Sequence, residues 1–343
     1  MATLELRGIK KKYGSIYAVD GIDLAIKEGE FLAILGPSGC GKSTTMRMIA
    51  GLEMPTEGDV LIGGKTVTQL PPRERNVSMV FQSYALYPHM TVTENIAFPL
   101  KARGVPKAER EAKIKWAAGM LGIEPLLQRK PARLSGGEKQ KVALARALVR
   151  DPELFIFDEP LSSLDAQVRT MARSELRLLH DRTGVTTVYV THDQLEALGM
   201  GDRIAIMQRG RVRQLGTPKE LYDHPADTFV AGFLGSPPMN LLTRDGEIIG
   251  FRPEHVLPAL PGAASDNAFA LPVRIQRMEF LGADWLIYGL FEGAALEEKI
   301  LSKVPPAVAA TLQEGELYEF RVERSHLRFF DLKTGLRADH GSH

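Results

Sequence analysis

Cysteine is almost missing from this chain of 343 residues: Cys40 is the only one. That excludes an internal disulfide and fits a reducing compartment. Net charge is nearly missing as well, with 43 basic against 42 acidic side chains. A balance of +1 gives no global electrostatic reason to bind nucleic acid or an anionic lipid surface. No apolar run approaches the roughly 18 residues that a membrane-spanning helix requires, and residues 1–7 carry no signal-peptide pattern. The expectation is that any work at a membrane depends on another chain to hold this one there. What is present is ordinary for a globular protein. Hydrophobic residues make up 44% and charged residues 25%, in a chain long enough for two domains with a large core in the first.

The rest of the chain is arranged around Gly36-Pro37-Ser38-Gly39-Cys40-Gly41-Lys42-Ser43-Thr44. This stretch matches the phosphate-loop pattern G-x-x-x-x-G-K-[ST] at every fixed position. Glycines let the backbone curl so that successive N–H groups point at a polyphosphate with no side chain between. Lys42 then sets a point charge between the β- and γ-phosphates, and the Ser43 hydroxyl is a ligand for Mg2+. Upstream, residues 30–35 form an apolar run of buried-strand length. Downstream, residues 44–50 lack glycine and proline, and Gly51 stands where a helix C-cap belongs. A helix opening at Lys42 aims its positive end at the phosphates. The plain alternative is a glycine-rich turn that matches by chance, and the strand before and helix after argue against it.

Residues 4–12 and 19–27 read as short, partly alternating strands. Tyr13, between them, is either a solvent-facing strand residue or an aromatic platform for a purine; with a phosphate loop close behind, the platform is the better reading. Residues 56–65 read as a hairpin strand closing in Gly63-Gly64, and residues 77–81 as an apolar strand that delivers Gln82 to a ligand crevice. From about residue 83 to 150 helical signals replace strand signals, as in a helical insertion into an α/β core. Residues 84–90 are rich in aromatic and apolar side chains, which fits core packing or a docking surface for a partner.

A second glycine-rich helix start follows at Leu134-Ser135-Gly136-Gly137-Glu138-Lys139-Gln140. Ser135 as N-cap with Glu138 three residues on makes a capping box. Capping does not account for Gly136 and Gly137, each costing about 1 kcal/mol against alanine; bare N–H groups meeting an anion do. Residues 154–157 are a continuously apolar strand ending in Asp158 and Glu159. Asp158 is placed to hold Mg2+ through water, and Glu159 to polarise an attacking water as general base. Residues 186–191 form a further buried strand, and His192 at its end belongs to the same crevice as Gln82 and Asp158.

Two short helices end near Gly235, and from Ser236-Pro237-Pro238 the composition shifts. Short strand-like pieces recur at 248–251, 271–278, 285–291, 317–322 and 327–331, the pattern of a small OB-type β-barrel. No catalytic constellation lies in it. The expected architecture is an α/β phosphate-loop NTPase core over 1–235, with antiparallel β and helical subdomains (the latter about 83–150). An all-β OB-like domain over 236–343 follows, ending in a flexible tail.

Residues 36–43, Gln82, 134–140, Asp158-Glu159, Ser163-Leu164-Asp165 and His192 stand in the order and spacing of the ATP-binding cassette (ABC) transporter ATPases, which the chain resembles over about residues 4–235. Gly235-Ser236-Pro237-Pro238-Met239-Asn240 and Phe251-Arg252-Pro253-Glu254-His255 resemble regulatory-domain signatures of the maltose-importer type, whose members power uptake of sugars, polyols and glycerol phosphates. The resemblance implies that two copies sandwich two ATP with Mg2+. In one copy, Tyr13, Gly36, Pro37, Ser38, Gly39, Cys40, Gly41, Lys42, Ser43, Thr44, Gln82 and Asp158 bind ATP. Lys42, Glu159 and His192 act in hydrolysis, while Ser43, Gln82 and Asp158 serve the metal. The other copy closes the site with Ser135, Gly136, Gly137, Glu138 and Asp165. Also implied are two membrane-spanning permease subunits docking near residues 84–90, an indirect extracytoplasmic solute-binding protein, and a regulatory protein at the C-terminal domain. The place of work would be the cytoplasmic side of a bacterial-type inner membrane.

Some positions depart from the family pattern. Glu138 stands for the commoner glutamine, Lys139 for arginine and Ser163 for asparagine. Glu138 brings a negative charge near a polyanion and is expected to point away or to weaken closure slightly. Cys40 reads as small filler, with the expectation that its alkylation blocks ATP binding. Rival readings are the same ATPase serving a polyamine or iron importer, or a regulatory ABC protein whose barrel binds a signalling partner. A soluble ABC protein acting on DNA or ribosomes lacks its usual coiled-coil insertion or tandem cassette here. A kinase does not fit residues 134–140, and no Asn-Lys-x-Asp guanine motif occurs.

Overall fold

The computed structural model describes residues 2–259, 267–292 and 298–338. It divides into two compact units, residues 1–218 and 219–343.

The first unit opens with β1 (Leu4–Tyr13) and β2 (Ile16–Ile26), an antiparallel pair. Strand β3 (Phe31–Leu35) is buried at every residue and leads through the phosphate loop into α1 (Lys42–Ala50), which ends at Gly51 in the left-handed region. Strands β4 (Glu57–Ile62) and β5 (Lys65–Thr66) turn at Gly63-Gly64 and join the first pair in a sheet ordered β2-β1-β4-β5. Strand β6 (Val77–Val80) precedes three helices, α2 (Val92–Ala102), α3 (Lys107–Leu121) and α4 (Gly136–Leu148). Then come β7 (Leu154–Asp158), α5 (Ala166–Thr183), β8 (Thr186–Thr191), α6 (Gln194–Met200), β9 (Arg203–Gln208) and β10 (Arg211–Gly216). The large sheet runs β10-β9-β3-β8-β7-β6. Neighbours from β9 to β6 are parallel, so every loop that follows β3, β8, β7 and β6 emerges on one edge.

Strand side chains alternate between two cores, because the pleat has period two. Leu154, Ile156, Val188 and Val190 join α1 and the antiparallel arm in one core. Phe155, Phe157 and Tyr189 join the helical insertion in the other. Both faces are covered, and a parallel sheet needs that.

The second unit takes in α7 (Pro218–Asp223) from Lys219 onward, α8 (Thr228–Phe233), and the pair β11 (Asn240–Arg244) and β12 (Glu247–Phe251). Strands β13 (Leu257–Pro258), β14 (Ala268–Phe280), β15 (Trp285–Phe291) and β16 (Glu298–Val304) follow. After the short helix α9 (Pro306–Ala309) come β17 (Leu317–Glu323), β18 (Arg328–Asp331) and β19 (Arg337–Ala338). Two antiparallel sheets, β11-β12-β18-β19 and β13-β17-β14-β15-β16, enclose one apolar core in an OB-like β domain. The buried Asn240 amide bridges them, donating to the Leu301 carbonyl and accepting from the Leu301 N–H, both at 2.8 Å.

Two results differ from the expectation. Strands β11 and β16 escape the sequence pattern. The contact boundary lies at 218/219 and not at 235, because Arg252 fastens the helices between to the β domain. Its guanidinium donates to the carbonyls of Tyr222, Ala231 and Leu234 and lies 3.8 Å from the centre of the Tyr222 ring. The Tyr222 hydroxyl donates to Glu254 at 2.7 Å, and burial, reinforced by that bond, pushes its pKa up to about 12. The expected flexible tail falls largely on residues 339–343, outside the described residues.

Candidate active site

The phosphate loop leaves β3 at Gly36, whose missing side chain is a matter of space: a Cβ there would lie 2.3 Å from the Met207 carbonyl oxygen. At Gly41 the reason is conformation as well, with φ at +105° and a Cβ position 2.4 Å from the Ala18 oxygen. Pro37, Ser38 and Gly39 form the exposed crest, and Ser43 is exposed beside it. Cys40 is buried beneath the crest at 3% exposure, and burial pushes its thiol pKa up. It is filler, as expected, but a poor alkylation target even without nucleotide. No side chain caps α1, so the N–H groups of Lys42, Ser43 and Thr44 have no intrahelical acceptor. Lys42 is 5% exposed and its ammonium donates to the carbonyls of Gly36 at 2.7 Å and Pro37 at 3.1 Å. The cradle thus holds its own cation in place. Tyr13 ends β1 with its ring half exposed and the Lys11 ammonium 5.1 Å from its centre.

Three further strand ends converge on the same edge. Gln82 is exposed just beyond β6, Asp158 ends β7, and His192 follows β8. His192 Nδ1 lies 3.0 Å from Glu159 Oε2; a carboxylate only accepts, so the ring nitrogen donates. Glu159 holds φ at +46°, a left-handed conformation that costs a non-glycine residue about 1–3 kcal/mol. It is held there by its N–H donating to the Val190 carbonyl at 2.9 Å and by the Ser162 hydroxyl donating to its own carbonyl at 2.8 Å. Burial raises the Asp158 pKa, and the neighbouring Glu159 charge raises it further.

Sequence reasoning missed Glu196, which is 3% exposed and accepts from the hydroxyls of Tyr189 at 2.8 Å and Thr191 at 2.7 Å. It braces the strand end that presents His192. Its signal was its place one turn into the helix after His192, on the face turned to the sheet.

Helix α4 starts differently. Ser135 and Glu138 close a full capping box: the Ser135 N–H donates to Glu138 Oε2 at 2.7 Å and the Glu138 N–H to Ser135 Oγ at 3.3 Å. The bond from Ser135 holds the Glu138 carboxyl below its usual pKa. Its charge is therefore turned back on its own N-cap. The N–H groups of Gly136 and Gly137 remain open. A second reason for these glycines is packing, since a Cβ would lie 3.0 Å from Leu164 at Gly136 and 3.3 Å from Val168 at Gly137. Asp165 caps α5, accepting from the Val168 N–H at 3.0 Å. This second glycine start therefore neighbours the loop after Glu159, while the first follows β3.

Comparison with known proteins agrees. The family model described as ABC transporter matches residues 19–162. The sn-glycerol-3-phosphate import ATP-binding protein UgpC of Cupriavidus pinatubonensis is 45% identical, over 99% of this chain and 100% of that protein. The protein of the same name from Burkholderia mallei is 46% identical, over 98% and 100%. Among solved structures, the dimeric post-hydrolysis state of the ATP-binding cassette MJ0796 bound to ADP and Pi is 35% identical with a TM-score of 0.56, covering 63% of this chain and 98% of that one. The cbiO1 protein of Clostridium perfringens, part of the transporter complex cbiONQ, is 30% identical with a TM-score of 0.60, over 64% and 89%. The chain belongs to the ABC transporter family, as one of its ATP-hydrolysing import subunits.

Proposed function

We propose that this chain energises uptake of a glycerol-phosphate or similar carbohydrate-like solute, as two copies closing on two ATP. The observation that carries the hydrolytic part is the Glu159 and His192 pair, 3.0 Å apart on the strand edge that also carries the phosphate loop. Full-length likeness to sn-glycerol-3-phosphate import proteins favours the solute class.

In this reading Tyr13 stacks on the adenine. The open N–H groups from Gly39 to Thr44 and the Lys42 ammonium take up the triphosphate. Glu159 Oε2 is engaged by His192, which leaves its other carboxylate oxygen to accept a proton from water. His192 engages Glu159 through Nδ1 and presents its other ring nitrogen to the γ-phosphate. Ser43, Gln82 and Asp158 fit Mg2+, because a divalent cation offsets the burial and the neighbouring Glu159 charge that raise the Asp158 pKa. When bound, the metal neutralises charge on the β- and γ-oxygens. From the partner copy, the Ser135 hydroxyl has its proton free to donate even while its oxygen serves the cap, and the N–H groups of Gly136 and Gly137 join it, with Glu138 and Asp165 at the rim. Residues 84–90 border a groove of about 230 Å3 lined by Phe81, Ala85, Tyr87, Phe98 and Arg146. Its aromatic walls suit a short helix of a membrane permease, which would place the chain at the cytoplasmic face of the membrane. The β domain would then be free to receive a regulatory protein.

The test is Glu159→Gln. Turnover should fall about 10²- to 10⁴-fold, while size-exclusion chromatography shows a dimer with ATP and a monomer without. A monomer in both conditions would count against the sandwich. For the solute, cells that rely on this chain should import labelled sn-glycerol 3-phosphate; import of a polyamine or iron alone would favour the rival solutes.

A further inference from the structure

We infer that Tyr84 is a positioning residue that ties the groove lined by Ala85 and Arg146 to the loop carrying Glu159, through its hydroxyl bond to Ser163. The inference rests on the reading of that groove as the permease dock.

Tyr84 is buried at 7% exposure, and its hydroxyl lies 2.8 Å from Ser163 Oγ, 79 residues further on. The backbone beneath it is strained. Tyr84 and Ala85 hold φ at +60° and +47°, two consecutive non-glycine residues in the left-handed region. Such a pair persists only where its surroundings impose it. Here Arg146 of α4 imposes it, donating Nη2 to the Tyr84 carbonyl at 2.7 Å and Nη1 to the Ala85 carbonyl at 2.6 Å. The same guanidinium faces the Tyr87 ring at 5.9 Å. Ala85, Tyr87 and Arg146 line the groove, so whatever sits there presses directly on the clamp that keeps Tyr84 in place.

The other end of the tie is equally specific. The loop from Glu159 to Asp165 is fastened at its start by the Ser162 hydroxyl on the Glu159 carbonyl, at 2.8 Å. At its end Asp165 caps α5 at Val168. Ser163, between these anchors, is itself exposed and is held by the Tyr84 hydroxyl. Leu161 and Leu164 on either side belong to the same buried cluster as Tyr84. If Ser163 moves off, the phenol is left unpaired in that apolar surrounding, a state that costs free energy.

The experiment is a double-mutant cycle on the full chain, read by ATP turnover and by hydrogen exchange of residues 161–164. Tyr84→Phe keeps the ring and deletes the hydroxyl; Ser163→Ala deletes the partner. Each should lower kcat about three- to tenfold with KM for ATP unchanged, and the double variant should match either single one. Ser163→Asn, which still offers Tyr84 an acceptor, should restore the rate. Arg146→Lys should raise exchange at 161–164 in the native chain and add nothing once Tyr84 is phenylalanine. Arg146→Gln, which keeps a shorter neutral donor toward the same carbonyls, gives the same reading if Arg146→Lys fails to fold. Multiplying rate effects, or an Arg146→Lys effect on 161–164 that persists in Tyr84→Phe, would overturn the tie. Exchange needs no permease, so failure of the docking reading alone would show as an intact cycle in a chain that binds no membrane subunit.

Discussion

The two glycine-rich helix starts look alike in sequence and are built on opposite plans. Helix α1 begins at Gly41 with no side-chain cap and no acid in its first turn, and it carries a buried lysine. Helix α4 begins with a closed capping box, an acid at its third position, and no cation inside the turn. On the proposed reading, the first is an anion cradle assembled within one chain. The second satisfies its own donors except for two glycine amides and a hydroxyl proton. It can add to an anion already held elsewhere but has little with which to hold one alone. Affinity should therefore reside in the first start and closure in the second.

The same substitution at both starts is the harshest trial of that contrast. Gly41→Ala meets a backbone oxygen at 2.4 Å and a φ of +105°, so a loss of roughly 3 kcal/mol or more in urea unfolding is expected, with ATP binding gone. Gly137→Ala sits in an ordinary helical turn, where the added Cβ meets a single Val168 methyl at 3.3 Å and no backbone atom. Stability should stay within about 1 kcal/mol of the native chain, and ATP affinity of the single chain should be intact while turnover falls about tenfold. Equal damage to affinity at both positions would erase the distinction. Lys42→Ala comes next: loss of a charge-assisted contact should weaken ATP about 10- to 100-fold by calorimetry, with the fold retained.

Glu138→Gln probes the cap that only the second start possesses. Glu138 has a depressed carboxyl pKa in the folded chain. Its contribution is therefore present above the unfolded value of about 4.3 and is lost as pH falls through the folded one. Native and variant chains should differ by about 0.5 kcal/mol at pH 7 and converge in acid, and turnover should change less than about threefold. A gap that widened in acid would show that the carboxylate is not engaged as drawn. The smallest effect is expected at Cys40, where a maleimide should label slowly with or without Mg-ATP, because burial and not nucleotide shields the thiol.

Much of the site was readable because its chemistry is local. Residues 36–44 carry loop, lysine and helix start in one contiguous stretch, and Asp158 with Glu159 sit at the end of a strand legible from its apolar run. What sequence conceals is conformation and long-range pairing. Nothing in the letter at 159 announces a left-handed backbone, since glutamate has no preference for it. Nothing links Tyr84 to Ser163 until β6 and β7 lie side by side. Strand β11 was within reach, because Asp245-Gly246 is a hairpin signal between it and β12. Strand β16 had no such signal, as Lys299, Leu301 and Lys303 alternate with Ile300, Ser302 and Val304 without a turn that sequence alone makes plain.

Arg252 has a practical corollary for anyone wishing to work with either half alone. Its bonds to the Tyr222, Ala231 and Leu234 carbonyls make residues 219–235 part of the β domain. A truncation after Gly235, the obvious choice from composition, would strand two orphaned helices on the ATPase and leave the β half with an arginine whose acceptors have been cut away. A cut at 218/219 instead leaves Arg252 and its three acceptors in one fragment.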